Sequence, residues 1–152
     1  MIFCTVGTGR FDLLVRCVLN LGIEKLVVQA GSSDILASYD ISNTTVFKYC
    51  LDTDFNSYCD RADIIITHAG AGTVFGNLEK NKRLIVVPNL IRHDKHQSEL
   101  CRYLEKNNFA LVCWNFDDLP DLLKKASLVR LTPYEKEIFN GVPEILAILG
   151  AS

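Results

Sequence analysis

Six short β-rich runs punctuate the chain, and each is followed by a polar or amphipathic stretch. IFCTV (2–6) leads into FDLLVRCVLNL (11–21), KLVVQA (25–30) into a polar loop, and TVFKY (45–49) into LDTDFNSYC (51–59). The rhythm continues with DIIIT (63–67) and VFGNLEKN (74–81), then RLIVVP (83–88) and HQSELCRYLEKN (96–107), then FALVCW (109–114) and DDLPDLLKKA (117–126). An apolar-periodic segment, PYEKEIFNGVPEILAILG (133–150), follows. Runs this apolar on both faces, alternating with helical patterns, predict an α/β fold with a parallel sheet covered by helices on both sides. No repeat or Pro/Gly/Ser linker divides the 152 residues, of which 49% are hydrophobic, so 1–152 reads as one domain around one core.

Composition narrows the function classes. A net charge of −2 and a pI near 5.9 supply no general basic field for nucleic acid. No apolar run approaches the ~20 residues of a membrane span, and the start, MIFCTVGTGR, has no basic region before a long apolar stretch. The six cysteines (Cys4, Cys17, Cys50, Cys59, Cys101, Cys113) form no C-x-x-C pair and lie mostly in apolar segments, as reduced cytosolic thiols would. No serine sits in a G-x-S-x-G elbow, which leaves a nucleophilic triad without support. The aromatics Phe47, Tyr49, Phe55, Tyr58, Phe109 and Trp114 read as core or half-buried strand positions, and Lys124-Lys125 as a solvated helix face.

Ligands of open α/β sheets bind beyond the carboxyl ends of the strands, so three loops carry the chemistry. In THAGAGT (67–73), Gly70 and Gly72 permit positive φ and close backbone approach, and Thr73 can cap the next helix, leaving free N–H groups for a phosphate. A tight strand-to-helix turn without ligand is the alternative. His68 at the strand end can donate to a substrate or be satisfied by a neighbouring loop. Gly7, Thr8 and Gly9 repeat the pattern after the first strand. Neither loop is a dinucleotide fingerprint: the third glycine's place holds Asp12 in one and Phe75 in the other, and Gln29 stands where a ribose-binding acid would. A nicotinamide dehydrogenase is therefore disfavoured. In the third loop, PNLIRHDKHQSEL (88–100), His93, Asp94 and His96 invite a metal reading, but structural zinc sites usually recruit closely spaced cysteines. His96 and Gln97 at a helix start suit phosphate or sugar hydroxyls, or simple capping.

FCTVGTGRFDLLV, YCLDTDFNSYCDRAD, ADIIITHAGAGTVFGNLEKNKRLIVVPN and KHQSEL together resemble the asparagine-linked glycosylation protein 13 family. That family is the cytosolic subunit of the two-part UDP-N-acetylglucosamine transferase of dolichol-linked oligosaccharide synthesis. The resemblance runs through most of residues 1 to 113. Bacterial exopolysaccharide glycosyltransferase subunits, and the carboxyl-terminal half of the lipid II N-acetylglucosamine transferase, are similar too.

The resemblance implies a Rossmann-like domain equivalent to the C-terminal half of a GT-B glycosyltransferase, a family 28 C-terminal domain that binds the donor. His68, Gly70, Ala71, Gly72 and Thr73 would hold the nucleotide-sugar's diphosphate, with Gly7, Thr8 and Gly9 facing the same cleft and His96 and Gln97 reaching sugar or phosphate. It implies inverting transfer of N-acetylglucosamine from UDP-GlcNAc to a dolichyl or polyprenyl diphosphate acceptor, without metal or other cofactor. It also implies a membrane-anchored partner subunit that supplies the acceptor site and the general base. The chain would then sit on the cytosolic face of the endoplasmic reticulum, or of the plasma membrane if bacterial. Segment 143–149 would join that partner or pack on its own sheet. A non-catalytic nucleotide-sugar-binding or regulatory subunit, and a bacterial subunit using another UDP-sugar, remain open. Two departures from the family pattern stand out: GSSDILASYDISN (31–43) is short, and Gly76 occupies the place of the carboxylate expected to bind ribose hydroxyls.

Overall fold

A computed structural model describes residues 1–34, 44–91 and 95–136. Strand β1 (Ile2–Thr5) is followed by helix α1 (Asp12–Leu19), β2 (Leu26–Gln29) and β3 (Thr44–Phe47). Then come α2 (Asp52–Arg61), β4 (Ile64–His68), α3 (Ala71–Leu78), β5 (Leu84–Val87), α4 (His96–Lys106) and β6 (Leu111–Val112), with a 3-10 turn, Phe116–Asp118, leading into α5 (Leu119–Leu128). All six expected strands form one parallel sheet in the order β3-β2-β1-β4-β5-β6.

Alternation along the strands explains the two covered faces. Cys4, Ile64, Ile66, Ile85 and Val87 point to one side and pack with Phe11, Leu14, Val15 and Val18 of the α1 region and Leu119 and Ala126 of α5. Phe3, Ile65, Leu84 and Val86 point to the other side, against Cys59 of α2, Val74 and Leu78 of α3, and Cys101 and Leu104 of α4. Each such large side chain withdrawn from water contributes about 1.5–3 kcal/mol before conformational entropy is subtracted, so this double layer specifies the architecture. All six cysteines are free, and burial pushes the thiols of Cys4, Cys101 and Cys113 up to about 12, which keeps them unreactive at neutral pH.

Local expectations hold in part. Phe55 and Tyr58 lie on α2, as the amphipathic stretch 51–59 predicts, and pack against the core: their rings meet Phe3 at 5.7 and 5.5 Å, and Tyr58 stacks on Phe47 at 5.2 Å. Tyr49 lies two residues beyond β3 and is 56% exposed, with its hydroxyl 2.8 Å from Ser32 Oγ. Lys124 is exposed and pairs with Asp121 at 3.0 Å, as a solvated helix face requires. Within 133–150, residues 133–136 are not helical; segment 143–149 lies outside the described residues. Among the described residues, no helix is long and apolar enough to cross a membrane.

Candidate functional site

The strand order reverses direction between β1 and β4. The segment after β1 leads to α1 on one face, and the segment after β4 leads to α3 on the other, which opens a crevice at their carboxyl ends. Thr5 and Thr67 are register partners there, so Gly7 follows one strand end and His68 closes the other.

The His68 ring lies between the two glycine loops. A Cβ on Gly7 would come 3.2 Å from His68 Cε1, and one on Gly70 would come 2.6 Å from Nε2. The second distance is below any real Cβ contact, so Gly70 is needed for the imidazole to occupy its place. Gly70 is not at positive φ: it is the N-cap of α3, with φ −86 and ψ 115, and its own N–H donates to the His68 carbonyl at 2.7 Å. Thr73 is consequently not the cap. It sits in the first turn of a helix that starts at Ala71, three residues before the apolar pattern suggests, and its carbonyl accepts from Asn77 Nδ2 at 2.8 Å.

With glycine at the N-cap, no side chain caps α3, and the first-turn N–H groups of Ala71, Gly72 and Thr73 are turned outward at the positive end of the helix dipole. A Cβ on Gly72 would meet nothing within 4 Å. The helix start therefore borders open space.

The first loop is held from below and from the side. The Gly7 N–H donates to Thr5 Oγ1 at 3.0 Å, and that hydroxyl donates to Gln29 Oε1 at 2.6 Å. Gln29 is buried, so its amide completes a strand-end network and does not face a ribose. Gly7 takes φ +63, the left-handed backbone that glycine adopts without a Cβ penalty. The segment beside it, which the sequence marks only as short, braces this loop. Gly31, at φ +54, lies where a Cβ would stand 2.3 Å from the Gly9 carbonyl oxygen and 2.6 Å from that of Gly7. The next residues continue this clasp: the Ser32 N–H donates to Gly9 O at 2.9 Å, Ser32 Oγ to Thr8 O at 3.0 Å, and the Phe11 N–H to buried Ser33 Oγ at 2.9 Å. Arg10 closes the rim by pairing with Asp12 at 2.6 Å and Asp34 at 2.9 Å. The hydrogen bond from Arg10 holds the Asp12 carboxyl below the usual carboxylate range against the opposing effect of burial, with a lesser contribution from the Asp34 N–H.

The third loop reaches the same edge. Asn89 and Ile91 share a cavity of about 390 Å³ with Arg10, Phe11, Asp12, Leu13 and Arg16. Gln97 is buried in the first turn of α4, and its Oε1 accepts the Asn89 N–H at 2.9 Å, so the carbonyl end of the amide braces this loop. Only the amide NH₂ end could serve a ligand. His96 is the first residue of α4, 90% exposed, with Nδ1 3.7 Å from the Glu99 carboxylate. His93 and Asp94 lie outside the described residues, and among the described ones no group of three or more His, Cys, Asp or Glu is arranged to hold a metal.

This six-stranded parallel sheet, with glycine loops at its switch point, matches the fold of the C-terminal half of GT-B glycosyltransferases. The solved fold of MurG from Acinetobacter baumannii superposes with a TM-score of 0.61 at 21% identity, covering 83% of this chain and 40% of that one. The NMR structure of ALG13 covers 100% of this chain and 96% of its own, with a TM-score of 0.63 and 21% identity. The sequence pattern of the glycosyltransferase family 28 C-terminal domain matches residues 1–138, and the chain belongs to that family.

Among individual relatives, the UDP-N-acetylglucosamine transferase subunit ALG13 of Debaryomyces hansenii is 40% identical, over 88% of this chain and 82% of its own length. The human protein of the same name is 33% identical over 74% of this chain. The chain spans only 11% of that human relative and 10% of the mouse one.

Proposed function

We propose that the chain is the donor-binding subunit of a two-chain inverting glycosyltransferase that moves N-acetylglucosamine from UDP-GlcNAc to a lipid-linked diphosphate acceptor. The observation that carries this reading is the placement of both glycine loops at the switch point, with the uncapped start of α3 bordering open space between them and solvent. The amides of Ala71, Gly72 and Thr73 would receive the diphosphate, and the loop Gly7–Gly9 would bound it from the β1 side. As the bond to the sugar breaks, negative charge builds on the departing UDP. Pre-oriented amides at a helix start stabilise that charge without reorganising, which lets the reaction proceed with no metal or other cofactor. The NH₂ of Gln97 and the ring of His96 would approach from α4. The name of the matched relatives, a transferase subunit, supports a partner chain; in this reading that partner is membrane-anchored, binds the acceptor and carries the general base. The complex would then work at the cytosolic face of the endoplasmic reticulum.

Co-expression of the chain with its partner, followed by a screen of UDP-sugars, tests the reading. Transfer from UDP-GlcNAc should need both chains, and the chain should reach membranes only with its partner. Efficient transfer by this chain alone, with acceptor supplied in detergent, would overturn the split.

Gly76 favours a second reading, a subunit that binds nucleotide-sugar without contributing to turnover. Gly76 is exposed on α3 with open space around it, and Glu79 does not replace a carboxylate there: it stands at the far end of α3, where it pairs with Lys136 at 3.0 Å. A carboxylate that accepts from ribose hydroxyls is worth roughly 1.5–3 kcal/mol. Gly76→Glu should therefore tighten UDP-sugar binding about ten- to hundredfold by calorimetry. Gly76→Ala should raise helix stability by about 1 kcal/mol without that gain. If the two variants bind alike, ribose is held elsewhere.

A further inference from the structure

At the opposite end of the sheet, before β5 begins, lies a cavity of about 220 Å³ that the donor reading does not use. Its walls include Lys82, Arg83 and Arg130, together with Asn81 and Thr132, and, among the described residues, no carboxylate. Three cations around one cavity are conspicuous in a chain of net charge −2. The neighbouring acids are engaged elsewhere: Asp60 pairs with Lys80 at 2.9 Å, Glu79 with Lys136 at 3.0 Å, and Asp63 with the amino-terminal ammonium. Asp63 also feels the Lys82 charge weakly, and Glu135 adjoins the cavity in sequence without lining it.

Neutral groups hold two of the cations, Arg83 and Lys82, in place. Arg83 Nη1 donates to the carbonyls of Ala126 and Val129, the latter at 3.0 Å, and thereby ties β5 to the end of α5. Lys82 Nζ donates to the carbonyls of Asp60 and Ala62. Carbonyl partners fix position but leave the full positive charge, whereas a carboxylate would cancel it. The Nε and Nη2 of Arg83 and the whole guanidinium of Arg130 have no hydrogen-bond partner among the described residues. The segment bearing Arg130 is itself fastened: the Thr132 N–H donates to Asn108 O at 2.8 Å, Asn108 Nδ2 donates to Arg130 O at 3.2 Å, and the Tyr134 ring packs on Phe75 and Phe109 at 5.3 Å each. Two fixed cations and the exposed guanidinium of Arg130, over a wall of Leu131, Pro133 and Tyr134, are complementary to an oxyanion with an organic arm.

We propose that this cavity is a second anion site, which takes a phosphate-bearing molecule between Arg83, Arg130 and Lys82. Two sources share that chemistry, a free phosphate ester and a phospholipid head group. The inference stands independently of the donor reading, because the cavity lies at the other end of the strands.

Titration of the full chain with inorganic pyrophosphate, followed by amide and arginine Nε–H NMR, tests it. Saturable shifts are expected at Asn81, Arg83 and Thr132, and Arg130→Gln should weaken them at least tenfold with the melting temperature nearly unchanged, since Arg130 is exposed and its side chain holds nothing. Shifts confined to Gly7–Gly9 and Ala71–Thr73 would favour the donor site and overturn the second one. Absence of saturable shifts at Asn81, Arg83 and Thr132, or equal binding by Arg130→Gln, would overturn it as well. Sedimentation with phosphatidylcholine vesicles, with and without phosphatidylinositol 4-phosphate, separates the sources. Retention on the phosphorylated vesicles that Arg130→Gln loses identifies a lipid head group, and pyrophosphate binding without retention identifies a free ester.

Discussion

Gly31→Ala should lower the melting temperature by about 4–12 °C and release the loop that bounds the proposed diphosphate site. The added methyl would stand 2.3 Å from one carbonyl oxygen and 2.6 Å from another, and both oxygens belong to the Gly7–Gly9 loop. The backbone at φ +54 adds the ordinary cost of a side chain in the left-handed region. Together these effects amount to about 2–3 kcal/mol, and each kcal/mol moves the midpoint of a domain this size by roughly 2–4 °C. Gly22→Ala is the control. It sits at φ +63 with nothing within 4 Å, so it bears only the backbone cost of about 1 kcal/mol. UDP binding should fall sharply in Gly31→Ala and stay unchanged in Gly22→Ala. Equal melting temperatures for the two variants would mean that the clasp on the first loop is not as tight as its distances say.

Gly72→Val and Gly70→Ala should separate ligand binding from folding. Position 72 faces open space in the first turn of α3, where an added Cβ meets no atom within 4 Å, and valine replaces the weakest ordinary helix residue. The fold should keep its stability within about 1 kcal/mol. The isopropyl group would nonetheless cover the amides proposed to hold phosphate. Loss of two charge-assisted hydrogen bonds at about 1.5–3 kcal/mol each predicts at least a hundredfold weaker UDP affinity by calorimetry. Gly70→Ala is expected to lower UDP affinity more than stability, because its methyl would meet the far end of the His68 side chain at 2.6 Å and displace the imidazole from between the loops. A Gly72→Val protein that folds and binds UDP normally would remove α3 from the site.

The six strands were legible because each is a run of Val, Ile, Leu or Phe bounded by polar or glycine residues, and a two-faced parallel sheet demands that pattern. The crevice followed from the same alternation. What escaped depends on contacts between distant segments. Gly31 reads as one residue of a polar loop, and only the fold brings it against Gly7 and Gly9, more than twenty residues earlier. The start of α3 was misplaced because Gly72 and Gly76 weaken its helical signature, while the sheet and the His68 packing fix the helix start at Ala71. Gln97 looks like a ligand group by residue type, yet a buried amide must first satisfy nearby backbone, here the Asn89 N–H. Tyr49 has strand-like neighbours in sequence but follows the last paired residue of β3, so its ring is left at the sheet edge.

The most direct measurement of the central claim is a residue-resolved NMR titration of the chain with UDP. The donor-site account predicts saturable shifts at Gly7, Thr8 and Gly9 and at Ala71, Gly72 and Thr73, with the His68 ring resonances moving alongside them. Saturable binding that leaves both glycine loops undisturbed, or no binding at millimolar UDP, would contradict it.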